Sequence, residues 1–420
     1  MRTGFFVLFL CMIGVGLWGQ SASQLLAQAK AEANPQTQIK LLTRAVAKAP
    51  RLADAYHYRG DAYRSLGKQK QALADYSRTV SLRPKDPFRY YARALLYLDM
   101  GRASLAVSDL SKAISLKPGY RNFYLARARA FYALGKAESS VKDYKKYLRS
   151  RTPSPELALE IAQAYLGAYQ YTQAHAQLDL AQQSGKDDAE FHYWRGRVYT
   201  GQHRLDEAIS SYSKAINRDQ NYAQAYRYRA SAFKELKDLP ASLQDYTVLL
   251  RLQPDALFYN RRGLVYEEMK KFREAASDYS KAIDLNPKWA IPYNNRGFAR
   301  MNLKDWASAQ KDLETAIKLD GATPTPYVNL AGVYWLGKKD RKKAYQNLDK
   351  AVRLNFKNFE SLFDEEQKGW MFKGLNKTAE FRSLLYRYSA GFLKKSPDEY
   401  RGFFMGVLSV LRIKMFVIDK

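Results

Sequence analysis

The sequence predicts an all-α fold: a linear array of about ten helix–turn–helix units, closed by a helical tail. Three observations carry this expectation. Small residues recur every 34 positions, aromatic residues flank them at fixed offsets, and prolines fall between the units. Hydrophobic residues make up 46% of the 420 positions, enough for an extended core and too many for a disordered chain. The count of 32 tyrosines against a single cysteine, Cys11, points to a tyrosine position repeated along the chain.

The register is set by Gly60, Ala94, Ala128, Ala162, Gly196, Ala230, Gly263, Gly297 and Ala331. A second series follows twelve residues later, from Ala72 and Ala106 to Ala275 and Ala309, and Ala344 continues it after a one-residue insertion near Lys338. Two antiparallel helices need small side chains where their backbones approach most closely, with aromatic residues filling the space on either side. Tyr56, Tyr90, Tyr124, Tyr226, Tyr259, Tyr293 and Tyr327 supply these in the first helices, and Tyr76, Tyr144, Tyr212, Tyr246 and Tyr279 in the second. Pro50, Pro84, Pro118, Pro254 and Pro287 punctuate the period.

Over residues 20–357 this pattern resembles the tetratricopeptide repeat. The resemblance implies a right-handed superhelical solenoid, whose concave face is lined by first helices and binds another protein. Two units depart from the pattern. The fifth follows the proline-rich junction 150–155 and has Ala158 for the tyrosine, and the ninth has Arg300 where an aromatic is expected. The junction is a candidate bend.

The ends read differently. Arg2, the apolar run 5–18 and small residues at Gly19, Ser21, Ala22 and Ser23 have the order of a secretory leader, so residues 1–23 are expected to be removed on export to the cell envelope. The basic first repeats would then occupy 24–154 and the remaining repeats 155–357. Residues 358–420 form the expected cap, with Ser396-Pro397-Asp398-Glu399 as a helix start.

Seven repeats place arginine just before the small residue. Six of these arginines have aspartate sixteen positions on: Arg59 with Asp75, Arg93 with Asp109, Arg127 with Asp143, Arg229 with Asp245, Arg262 with Asp278, and Arg296 with Asp312. Arg195 has Ser211 there, and no aspartate is evident for it. The two repeats without the arginine carry Ile161 and Leu330, and they also lack the aspartate. Columns that come and go together predict a structural ion pair between the two helices of a repeat, not a row of anion sites.

By the resemblance, the concave face falls three residues before each small residue and one, four and five after it. The candidate partner-binding residues at these positions are His57, Asp61, Arg64, Tyr91, Arg129, Tyr132, Tyr193, Arg197, Arg227, Lys234, Asn260 and Asn294. No repeat carries the lysine and asparagine with which chaperone-binding members of the family hold a peptide C-terminus.

The formal charge of +28 is uneven. Residues 20–155 hold 26 Lys and Arg against 9 Asp and Glu, whereas residues 156–335 hold 23 against 22. The basic first repeats suggest an alternative role, docking on anionic lipid or an envelope polymer; export argues against nucleic acid. The four histidines form no metal-ligand spacing, and no phosphate loop or catalytic motif is present. The expectation is a non-enzymatic scaffold without cofactor or metal, holding a peptide or helix of another protein.

Overall fold

The computed structural model describes residues 19–354. Residues 1–18 of the expected leader, and the whole of the expected cap, lie outside them. Twenty helices and no strand occur among the described residues, and they form ten consecutive pairs. Repeats 1 to 5 pair α1 (Ala22–Ala31) with α2 (Pro35–Lys48), α3 (Ala53–Ser65) with α4 (Gln69–Leu82), α5 (Pro87–Asp99) with α6 (Ala103–Leu116), α7 (Arg121–Ala133) with α8 (Ala137–Leu148), and α9 (Pro155–Gly167) with α10 (Tyr171–Gln183). Repeat 6 comprises α11 (Ala189–Gly201) and α12 (Leu205–Arg218). Repeats 7 to 10 pair α13 (Ala223–Glu235) with α14 (Leu239–Leu252), α15 (Ala256–Glu268) with α16 (Phe272–Leu285), α17 (Ala290–Asn302) with α18 (Trp306–Leu319), and α19 (Thr325–Gly332) with α20 (Arg341–Arg353).

Local chemistry sets many of the helix starts. Ser21 and Gln24 form a reciprocal capping box on α1, which therefore begins two residues inside the segment expected to leave with the leader. Asn34-Pro35, Asp86-Pro87 and Ser154-Pro155 each place a capping oxygen before a proline in the first turn of α2, α5 and α9.

The chain divides into two compact units, Met1–Arg204 and Leu205–Lys420, and the division falls between the helices of repeat 6. In unit 1 the helices of a repeat pack on each other, and each second helix packs on the next first helix. First helices also meet first helices, as between α5 and α7 and between α9 and α11. The same order holds in unit 2 from α13 to α20. The register residues are the points of closest approach: Ala94, Ala128, Ala230 and Ala331 are fully buried. Tyr76, Tyr144, Tyr212, Tyr246 and Tyr279 are among the largest fully buried side chains, each contributing about 2 kcal/mol by burial. At Gly263 a β-carbon would lie 2.6 Å from the Tyr279 ring, so this approach requires glycine.

The proline-rich junction does not interrupt the core of unit 1. Arg149 and Ser150 turn the chain in left-handed backbone, at φ 44° and 67°. One apolar cluster runs from Ala128 and Tyr144 through Leu159, Ala162 and Leu178 to Phe191 and Val198. The insertion near Lys338 is absorbed by a π-helical turn, Val333–Gly337, that extends α19. Gly337 is needed there, since a β-carbon would overlap the Trp306 ring.

Candidate partner-binding groove

The arginine ladder is a set of staples. In all six Arg–Asp pairs the guanidinium Nε and Nη2 donate to the two carboxylate oxygens at 2.6–2.9 Å, joining the two helices of one repeat. The aspartates are nearly buried. Burial pushes the Asp245 carboxyl up, against the pull of Arg229. The hydrogen bonds it donates to Asp278 hold the Arg262 guanidinium above its ordinary value. Arg300, in the aromatic position of repeat 9, donates a further bond to Asp312 at 2.7 Å.

A third column completes the staple. The remaining Nη1 of each paired arginine reaches back to a hydroxyl on the preceding second helix: Thr43, Ser77, Ser111, Ser213, Thr247 and Ser280, at 2.9–3.4 Å. Each arginine thus ties three helices together. In repeat 6 the acid and the hydroxyl exchange places. Arg195 donates backward to Asp179 at 2.9 Å and to Gln182 at 2.7 Å, while Ser211 bonds its own helix. The sequence held this signal. The hydroxyl stands two residues after the preceding acid position, and where the next repeat lacks the arginine the position is Lys145 or Glu314.

Many of the candidate partner-binding residues are engaged within the protein, some with one another and more with other side chains near the row of first helices. Arg64 bonds Asp99 of the next repeat at 2.5 Å, and Arg129 forms a bidentate pair with Glu160 at 2.7 and 3.0 Å. His57 lies 3.7 Å from Asp61, which also accepts from the buried Tyr76 hydroxyl at 2.6 Å. Burial holds the His57 imidazole below its ordinary value. Arg197 donates to Tyr193 at 3.0 Å, and Arg227 lies over the rings of Tyr228 and Phe258. Tyr91 packs against Tyr120 and Phe123, and Tyr132 is 37% exposed. In unit 2 a run of amides links three first helices: Asn329 donates to Asn294, Asn294 to Asn295, and Asn295 to Asn260, at 3.0–3.2 Å.

Unit 2 also holds a cavity of about 900 Å³ across repeats 7 to 10. Leu264, Phe272, Phe298, Met301, Trp306 and Leu336 give it apolar walls; Lys234, Glu267, Glu268, Lys270, Asn302 and Lys304 supply the polar groups. Lys234 and Lys237 both pair with Glu268, at 3.3 and 2.6 Å. Glu267 accepts from the Tyr279 hydroxyl at 2.9 Å, and burial pushes its carboxyl up to about 7. Of the candidate residues only Lys234 lines this cavity. The same offsets applied to repeats 8 and 9 give Leu264, Glu267, Glu268, Phe298, Met301 and Asn302, so the groove was readable there. Its walls are apolar, and an apolar residue at these offsets reads as core. Among the described residues no three His, Cys, Asp or Glu side chains are grouped to hold a metal, and no helix is long and apolar enough to cross a membrane.

Tetratricopeptide-repeat family models match residues 60–101, 91–155, 159–225, 201–256 and 256–288. The Hsp70-Hsp90 organizing protein 3 of Arabidopsis thaliana is 30% identical over 95 residues, covering 22% of this chain and 17% of that protein. The Hsp70-Hsp90 organizing protein of Triticum aestivum is 26% identical over 143 residues, 31% of this chain and 25% of that protein. The chain thus spans a quarter or less of the length of these curated relatives. Among solved structures, a tetratricopeptide repeat protein from Parabacteroides merdae aligns with a TM-score of 0.49 at 16% identity, over 59% of this chain and 98% of that one. YrrB, described as a TPR protein with an unusual peptide-binding site, aligns with a TM-score of 0.39 at 19% identity, over 45% and 97%. With its ten helix pairs in one register, the chain belongs to the tetratricopeptide-repeat superfamily.

Proposed function

We propose that this protein is a non-enzymatic scaffold that binds a peptide or helix of another protein in the groove of repeats 7 to 10. One observation carries the reading: a cavity of about 900 Å³ has six apolar side chains in its lining, and four of them, Leu264, Phe298, Met301 and Leu336, stand at the positions the resemblance assigns to the concave face. A cavity with apolar walls and a few polar groups at its edge offers room that a partner's side chains would fill. The leader-like segment 1–23 supports a place in the cell envelope. The charge of residues 20–155 favours a second reading, attachment of unit 1 to anionic lipid or envelope polymer.

Affinity capture from native envelope extract tests both. The full chain and its Phe298→Arg variant are washed at low and high salt, and bound material is identified by mass spectrometry. A protein held at high salt by the native chain and lost from the variant supports the groove. Material that binds both equally and leaves with salt favours the basic surface.

A further inference from the structure

From repeat 2 onward the turn between the two helices of a repeat passes through left-handed backbone, and the units fill it differently. Unit 1 uses Gly67, Gly101 and Gly135 in repeats 2 to 4, then Tyr169 and His203. Unit 2 uses lysine in all four described turns: Lys237, Lys270, Lys304 and Lys339, at φ 55–65°. A side chain at such a φ is strained, and glycine relieves it. Four lysines kept in strained turns form an exposed column, and two of them, Lys270 and Lys304, line the apolar cavity.

The acids beside this column are engaged as helix caps. Asp238, Asp305 and Asp340 accept from backbone N–H groups in the first turns of their own helices, and Lys271 follows Lys270. Glu268 offsets Lys237 and Lys234. The cavity edge at Lys270 and Lys304 is therefore positive, against apolar walls.

Resting on the scaffold reading, we infer that the partner segment is acidic: an extended peptide whose Asp or Glu side chains pair with the turn lysines while intervening Leu or Phe side chains enter the cavity. Adjacent first helices pack roughly 10 Å apart, and a chain in the polyproline II conformation advances about 3.1 Å per residue with three residues per turn, so carboxylates at every third position share one face and meet successive lysines. The apolar walls favour a polypeptide over a polyphosphate or a lipid surface, since a repeating phosphate backbone offers no side chain to fill them.

Fluorescence anisotropy on the full chain tests this with labelled 15-residue probes. The first carries Glu at every third position with Leu and Phe between; its counterparts carry Gln or Lys in place of Glu. Unlabelled polyphosphate and phosphatidylglycerol vesicles compete. The second protein is the triple variant K270G/K304G/K339G, which removes the cations and relaxes the turns, so lost binding cannot be ascribed to lost folding. The acidic probe is expected to bind at least tenfold more tightly than the Gln probe and to lose at least tenfold on the variant, whose melting temperature is unchanged or raised. Gln and Glu probes within threefold of each other, or a variant that binds as the native chain does, overturns the acidic partner and leaves the groove standing. Displacement by polyphosphate or vesicles with the same lysine dependence overturns it in favour of a general anion site. No probe displaced by the Phe298→Arg change overturns both the inference and the scaffold reading.

Discussion

Repeats 2 to 4 of unit 1 and repeats 7 to 9 of unit 2 share one staple and one turn geometry, yet they differ at the turn residue and on the inner face. In repeats 2 to 4 the turn closes on glycine, and first-helix charges pair with the next repeat, as Arg64 does with Asp99 and Arg129 with Glu160; in unit 2 Lys234 pairs with Glu268 in the same way. In unit 2 the turn closes on lysine, and the facing positions of repeats 8 and 9 are Leu264, Phe298 and Met301 around an open cavity. The invariant part is what folding needs: buried carboxylates matched in both units by a bidentate guanidinium. The variable part departs from the more stable choice, which marks it as selected for something other than stability.

Breaking the shared part should have the largest effect. Asp278→Ala leaves the half-buried Arg262 without its counter-charge and should destabilise unit 2 by about 3 kcal/mol or more in urea unfolding. The double replacement Arg262→Leu with Asp278→Leu should recover most of that loss, because no charge is then left buried alone. Next comes Glu267. Its folded value near 7 lies above the ordinary carboxyl, so the native state holds the proton more tightly than the unfolded chain. The resulting stability is complete below about pH 4 and disappears as pH rises through 7. Glu267→Gln, which keeps an acceptor for Tyr279, should therefore stabilise the protein at pH 8 by at most about 3 kcal/mol and leave it unchanged at pH 4.

Exchanging turn residues sharpens the comparison at smaller magnitude. Gly101→Lys should cost about 1 kcal/mol, and Lys304→Gly should return up to about the same, both read from thermal melts. Smallest is Arg195→Gln. Its partner Asp179 is 51% exposed, so the loss should stay under about 1 kcal/mol, well below any member of the buried pairs.

Most of the fold was legible because a 34-residue period repeats each physical constraint several times. Ile161 and Leu330, which break the arginine and aspartate columns together, identified a pair before any geometry. The hydroxyl column is quieter because serine and threonine carry no charge to match an arginine, and Arg195 shows the consequence: its acid stands sixteen residues before it, not after. The groove was half legible. Position along the helix located it, but the residues that open it are apolar, and at one position an apolar residue reads as core. The π turn at Val333–Gly337 was visible only as an extra residue, since sequence spacing registers an insertion without saying which turn widens.

The central claim is that a polypeptide occupies the cavity of repeats 7 to 10. A photo-crosslinking residue placed in the full chain at Phe298, with a control at Lys318 on the second helix of the same repeat, tests it most directly. In native extract the account predicts one or a few protein adducts at 298, absent at 318 and displaced by an acidic, apolar peptide. Equal crosslinking at both positions, or none at 298, would contradict it.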